Sequence, residues 1–244
     1  MNQPQVQLLE WDSNFLGFSV GQLAARQLSA AGLTALVEQS QSAGIHLIYM
    51  AVDPTDAALA AVADQAGARL VDRKVTFARA TNLPLPAGPA PKSGEAAIFS
   101  TATFTSALEE LAWQSGEFSR FRRDGRFASG VFEDLYTQWL RASLTGELAR
   151  VVLAYPSPEG AEVGLLTLGQ QQDFANIGLL AVAGTNRGQG IGQQLVEAAR
   201  QQAQRWGCPT LQVVTQRDNE PACRFYAKCG FELVREEHIY HLWL

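Results

Sequence analysis

Three glycines spaced two apart, Gly188, Gly190 and Gly192, constrain this chain more than any other feature. They lie in Asn186 to Gly192, NRGQGIG, after an apolar run that reads as a strand (Phe174 to Ala183). An amphipathic pattern predicting a helix over Gln189 to Trp206 follows. Glycines let such a loop turn tightly and approach a ligand without Cβ obstruction. The helix behind it aims unpaired amide protons and a positive dipole end at the same point. A strand, loop and helix of this kind suit a diphosphate. A Walker loop would need Gly-Lys-Ser/Thr at the helix start, but Gly190 is followed by Ile191 and Gly192. A dinucleotide fingerprint needs its third glycine three positions after the second, and belongs early in a parallel sheet. The pattern that remains is Arg/Gln-x-x-Gly-x-Gly/Ala, met by Arg187, Gly190 and Gly192.

An anion must find local donors here, because the 244-residue chain carries a formal net charge of −5. Its overall field therefore recruits neither nucleic acid nor an anionic membrane. Apolar runs such as Leu47 to Val52 are too short to span a bilayer, and the N-terminus lacks a signal-peptide pattern, so a cytoplasmic location is expected. Cys208, Cys223 and Cys229 have no metal-ligand spacing and read as buried small hydrophobes in a reducing compartment. The three histidines, His46, His238 and His241, suggest no metal site either.

The Pro-rich stretch Leu83 to Gly94, LPLPAGPAPKSG, reads as a linker at residues 83–94. It separates an αβ domain at 1–82 from a catalytic domain at 95–244. Before the linker, strands are expected at Val6–Trp11, Phe18–Leu23, His46–Val52 and Arg69–Arg79, with helices at Thr34–Gln41 and Asp56–Ala66. After it, Ala96–Ser100, Ala149–Tyr155, Glu162–Leu168, Phe174–Ala183, Thr210–Thr215 and Phe231–Leu244 read as strands. Helices are expected at Thr103–Ser115, Phe132–Leu144, Gln189–Trp206 and Asn219–Cys229. The turn PSPEG points to antiparallel pairing of the strands around it. The chain also echoes itself. A displacement of 163 positions lays Ile48–Phe77 over Leu211–Tyr240, with Asp56 on Asn219, Gly67 on Gly230 and Ala63 opposite Tyr226. Identities are few, so a partial copy of one unit and a chance likeness of two αβ segments both fit.

A second element joins the loop. Asn219, Ala222, Tyr226, Gly230 and Phe231 follow the pattern N-x-x-A-x-x-x-Y-x-x-x-G-F, and positions 219, 222 and 226 share one helix face. With the glycine loop upstream, this region resembles the GNAT acetyltransferase family. The resemblance implies an α/β (α+β) GNAT fold with a mixed, mostly antiparallel central sheet, plus a smaller N-terminal αβ domain resembling a partial GNAT unit. It implies acetyl-CoA as cosubstrate and no metal. Backbone groups of Leu180, Ala181 and Val182 would pair with the pantetheine arm, one amide polarising the thioester carbonyl. Arg187, Gly188, Gln189, Gly190, Ile191 and Gly192 would hold the pyrophosphate, and Asn219 would bond the pantetheine. Tyr226 would act as general acid toward the departing thiolate; without the motif it would read as a core aromatic.

Trp11 to Phe18, WDSNFLGF, and Ser119 to Arg122, followed by Phe132, Tyr136 and Trp139, resemble the TDP-fucosamine acetyltransferase family. That resemblance implies acetylation of a nucleotide-linked amino-dideoxy sugar, dTDP-4-amino-4,6-dideoxygalactose or a close isomer, for a bacterial cell-surface polysaccharide. Phe15, Arg120, Phe121 and Arg122 become substrate-binding candidates. Arg120, Arg122, Arg123 and Arg126 offer the charge-assisted donors a diphosphate needs, and equally fit a solvated basic turn. The strand before the loop carries no carboxylate, and the resemblance points instead to Asp72, where relatives have Glu, as base or water-positioner. A strand-edge ion pair with Arg73 is its other reading. A GNAT enzyme for a polyamine, antibiotic or protein N-terminus, and a non-catalytic acetyl-CoA-binding regulator, remain alternatives. The strand ending His-Leu-Trp-Leu offers an edge for a second copy of the chain, a homodimer.

Overall fold

A computed structural model of the chain describes residues 5–23, 28–86 and 98–244. The chain forms two compact units, each discontinuous in sequence. The first comprises residues 1–75, 216–218 and 235–244, the second residues 76–215 and 219–234. Two strands, β4 (Arg69–Ala80) and β10 (Glu232–Trp243), each give one end to each unit.

The first unit contains β1 (Val6–Leu8), α1 (Glu10–Leu16), β2 (Val20–Leu23), α2 (Ala30–Ser42), β3 (Leu47–Val52) and α3 (Ala57–Gln65). β1 runs antiparallel to β2, β2 parallel to β3, and β3 antiparallel to β10, with Leu47 opposite Trp243. Alternation puts Ile48, Met50 and Val52 on one face of β3 beside Tyr240 and Leu242, where Leu33 of α2 and Leu59 of α3 close the core. One edge of the C-terminal strand is thus taken by β3 of the same chain. The expected strand Val6–Trp11 stops at Leu8, and a helix absent from the sequence reading begins at Glu10. Local side-chain bonding explains it. The Ser13 hydroxyl donates to the Leu9 carbonyl at 2.7 Å and accepts from the Val20 amide at 2.9 Å, folding the segment back on β2.

The second unit contains β5 (Phe99–Ser100), α4 (Ser106–Ser115), α5 (Arg120–Arg123), α6 (Val131–Leu144), β6 (Val151–Pro156), β7 (Glu162–Gln170), β8 (Phe174–Val182), α7 (Ile191–Arg205), β9 (Thr210–Gln216, its last residue in the first unit) and α8 (Glu220–Lys228). Its sheet runs β9-β8-β7-β6-β5, antiparallel except for the parallel pair β8 and β9. This is the mixed, mostly antiparallel sheet the sequence implied. Helices α4 and α7 pack on β7 and β8, burying Leu108, Leu111, Leu165, Leu166, Leu195 and Val196. Of the Pro-rich stretch, residues 87–94 lie outside the described residues, as do Ala96 and Ala97 of the expected first strand.

The internal echo holds at the level of elements. Shifted by 163, α3 falls on α8 and β4 on β10, end for end. Asp56 caps α3 by accepting from the Leu59 amide, and Asn219 caps α8 by accepting from Ala222. Gly67 and Gly230 both leave their helices with positive φ, at 80° and 77°. Each unit also holds one parallel strand pair in matching register, Val20 with Leu47 and Phe174 with Thr210.

The C-terminal strand is integral to the first core. Replacing the buried Leu242 by Ala should cost about 2–5 kcal/mol of stability, measured by urea denaturation. A loss below about 1 kcal/mol would mean that β10 contributes little to that core.

Candidate active site

The site begins with a strand that loses its neighbour. β8 and β9 pair only from Phe174–Thr210 to Ile177–Val213, whereas β8 continues to Val182. A bulge lies where the pairing ends. Leu166 of β7 faces Leu180 and Leu168 faces Ile177, so two residues of β8, Gly178 and Leu179, oppose the single Thr167. The buried Thr167 hydroxyl fills the gap, accepting from the Leu179 amide at 2.8 Å. A bulge of this kind bends its strand and ends pairing. The Ala183 amide donates to the Val163 carbonyl, so the odd-numbered amides face β7. The amides of Leu180 and Val182 therefore point to the open edge. The Val182 carbonyl is already engaged by Arg187 Nε at 3.0 Å, which leaves this edge chiefly a donor surface.

The chain then makes a one-turn 3-10 helix (Gly184–Asn186) and enters α7 through Gly190, whose φ of 82° is left-handed. Helices α2, α3, α4, α5 and α8 are each capped by a side chain, from Ser29, Asp56, Thr105, Ser119 and Asn219. No side chain caps α7. Its first-turn amides and the Leu180 and Val182 amides, on either side of the loop in sequence, are donors of the kind that fits a ligand with a phosphate and an extended amide arm. Gly192 has a different reason to be glycine, since a Cβ there would stand 3.2 Å from the Phe225 ring. Ile191 buries its side chain and offers only its backbone. Arg187, exposed, braces the loop against β8 and reaches Gln114 at 3.5 Å.

On α8, Asn219 commits its Oδ1 to the Ala222 amide at 3.2 Å, leaving the side-chain NH2 as donor. Tyr226 is buried, its ring 5.3 Å from Phe225, 5.6 Å from Phe231 and 6.0 Å from Phe77. Burial, with the neighbouring Cys229 and Cys223, pushes its phenol well above the ordinary value, so the hydroxyl stays protonated at neutral pH. Burial also raises the Cys229 thiol to about 11, against the opposing charge of Arg79.

The remaining candidates are more dispersed. Arg120 lies over the Phe121 ring at 4.9 Å, and Phe121 is buried against Phe127 and Trp139. Arg122 sits over Phe132 at 4.8 Å and pairs with Glu133 at 3.4 Å. Arg123 lies over Phe118 at 5.4 Å. Three of the four guanidiniums of the basic stretch, those of Arg120, Arg122 and Arg123, are thus each laid on a ring. Half-buried Phe15 stacks on Trp11 at 5.5 Å. Asp72 is buried on β4, and its neighbour Arg73 pairs with Asp218. Phe15 and Asp72 belong to the first unit, every other candidate to the second. Thr167 and Arg79 carried no sequence signal, because neither a bulge partner nor the burial of a lone arginine leaves a pattern in spacing.

The model of the Acetyltransferase (GNAT) family matches residues 103–231, which takes in the open strand, the loop and α8. The chain belongs to the GNAT acetyltransferase family. That family uses acetyl-CoA. A dTDP-fucosamine acetyltransferase of Escherichia coli O6:H1 is 32% identical over 169 residues, 68% of each chain. The spore coat polysaccharide biosynthesis protein SpsD of Bacillus subtilis is 27% identical over 139 residues, 57% of this chain, and the match spans only about half of that protein, 47%. A GCN5-related N-acetyltransferase from Sphaerobacter thermophilus shares the fold, with a TM-score of 0.62 at 16% identity, over 97% of this chain and 75% of that one.

Tyr226 gives the GNAT chain a testable pH dependence. Below its ordinary value of 10.0 the phenol is protonated folded and unfolded, and contributes no slope. Above that, the unfolded chain releases the proton first, so stability falls by up to about 1.4 kcal/mol per pH unit for this group. Urea midpoints between about pH 9 and 11 should fall more steeply in wild type than in Tyr226→Phe. Equal slopes would show that the ring is not held in a buried site.

Proposed function

We propose that this enzyme transfers acetyl from acetyl-CoA to the amino group of a nucleotide-linked amino-dideoxy sugar, dTDP-4-amino-4,6-dideoxygalactose or a close isomer. The observation that carries the acceptor is the likeness to the dTDP-fucosamine acetyltransferase over 68% of both chains. Such a product would serve a cytoplasmic step in building a surface polysaccharide.

Acetyl-CoA supplies a thioester whose carbonyl carbon is open to attack by an amine. The backbone of Gly188 and Gln189 and the first-turn amides of α7 hold the pyrophosphate, with Arg187 bracing the loop. The Leu180 and Val182 amides align the pantetheine arm as an added strand would. One of them donates to the carbonyl oxygen as negative charge gathers there. The NH2 of Asn219 donates to an amide oxygen of the arm. Tyr226 is the proposed proton donor to the departing sulfur, its raised pKa keeping the hydroxyl protonated at neutral pH until the thiolate leaves. β8, FANIGLLAV, has no carboxylate to receive the proton of the amine. Asp72 is the proposed acceptor, directly or through a water. Arg120 and Arg122 are the proposed donors to the diphosphate of the acceptor, and Phe121 and Phe15 are further proposed substrate-binding residues.

Thiol release from acetyl-CoA with dTDP-4-amino-4,6-dideoxygalactose should be rapid in wild type and at least about tenfold slower in Tyr226→Phe. Absence of turnover, with acetyl-CoA binding intact, would reject this acceptor while leaving the family unaffected. In Arg120→Ala the KM for the sugar nucleotide should rise about tenfold and that for acetyl-CoA should not change. Unchanged acceptor kinetics would remove Arg120 from the site.

A further inference from the structure

Arg79 is an arginine buried to 7% exposure, outside every motif of the chain. Its guanidinium serves two pieces of backbone. Nη1 donates to the carbonyl of Cys229, the C-cap of α8. Nη2 donates to the carbonyls of Leu83 at 2.7 Å and Pro84 at 3.1 Å. The same group lies 5.7 Å from the centre of the Phe231 ring, which is one wall of the Tyr226 cage. Phe77, two residues earlier and so on the same face of β4, is another wall. One short stretch of strand therefore touches Tyr226 through a ring and reaches the end of its helix through a cation.

A buried cation is costly unless its donors are met, and an apolar side chain of similar size would fill the space at no such cost. Burial and the like charge of Arg200 weigh against the protonated guanidinium, and Glu197 offsets them. What the cation adds is direction. Helix carbonyls at a C-terminus carry partial negative charge, and a planar guanidinium held by Leu83 and Pro84 through Nη2 fixes the Nη1 donor that the Cys229 carbonyl receives. Arg79 also ties that end to Leu83 and Pro84, of which Pro84 lines a cleft of about 460 Å3 that reaches Gly190.

We propose that Arg79 is a positioning residue for acyl transfer, which sets the Tyr226 hydroxyl by fixing the Cys229 carbonyl and the Phe231 ring. The inference rests on Tyr226 acting as the acid.

The test uses full-length protein carrying 3-fluorotyrosine, with the Tyr226 resonance among the five tyrosines identified by its loss in Tyr226→Phe. In Arg79→Met that resonance should move and its alkaline titration midpoint should fall, while the other four keep their positions. Arg79→Lys should move the Tyr226 resonance in the same direction by a smaller amount. An unmoved Tyr226 resonance, or an equal shift of all five, overturns the proposal. Kinetics with acetyl-CoA and dTDP-4-amino-4,6-dideoxygalactose supply the second arm. Arg79→Met should lower kcat about tenfold with little change in KM for acetyl-CoA, and less than about twofold in a Tyr226→Phe background. The same loss in both backgrounds would make Arg79 merely structural. A Tyr226→Phe enzyme that turns over at the wild-type rate would instead refute the acid reading, with the spectral result for Arg79 standing apart from it. If Arg79→Met does not fold, Arg79→Lys carries both arms, with a smaller loss of kcat that also vanishes without the Tyr226 hydroxyl; a loss that persists there overturns the proposal.

Discussion

The candidate site depends on one hydrogen bond, from the Leu179 amide to the Thr167 hydroxyl. Two residues of β8 face one of β7 at that point, and the hydroxyl satisfies a buried amide that the ladder has abandoned. Once the strand bends there, β9 no longer follows it, and the amides of Leu180 and Val182 have no strand partner on that side. A sheet edge is ordinarily a liability. Here it is short, interior to the unit and placed just before the loop that opens α7, so it suits one extended molecule of limited length.

Charge is distributed to match. The chain is acidic overall, with a net charge of −5, so attraction for an anion comes from oriented backbone groups rather than from a basic field. The uncapped start of α7 is the clearest instance. Its counterpart by order in the first unit, α2, is capped by Ser29, and its counterpart to Tyr226 by the 163-residue shift is Ala63. The first unit thus matches these elements of the second but has a capped α2 and no hydroxyl at position 63.

Much of this was legible in the sequence, for identifiable reasons. The glycine loop and the Asn219-to-Phe231 pattern could be read because both rest on local spacing: φ of positive sign at Gly188, Gly190 and Gly230, and a helix face shared by 219, 222 and 226. Strand alternation gave β3, β7 and β8 to within a residue or two at most ends. Helix α1 was missed because Ser13, which bonds to both Leu9 and Val20, holds it through contacts that no propensity encodes. The short helix α5 was missed too, since the cap at Ser119 was overshadowed by the arginines after it. Those arginines show the limit of composition. Four cations in seven residues suggest a basic patch, yet Arg120, Arg122 and Arg123 each lie over an aromatic ring.

The pairing of β3 with β10 also bears on how the chain is made. A strand complete at Val52 has its antiparallel partner in β10, far along the chain, with Leu47 opposite Trp243. On a ribosome, the N-terminal sheet is left with a bare edge while the whole second unit is synthesised. Contacts so distant in sequence form slowly, and exposed edges invite wrong partners meanwhile. The sheet of the first unit is therefore completed only after β10 has been made.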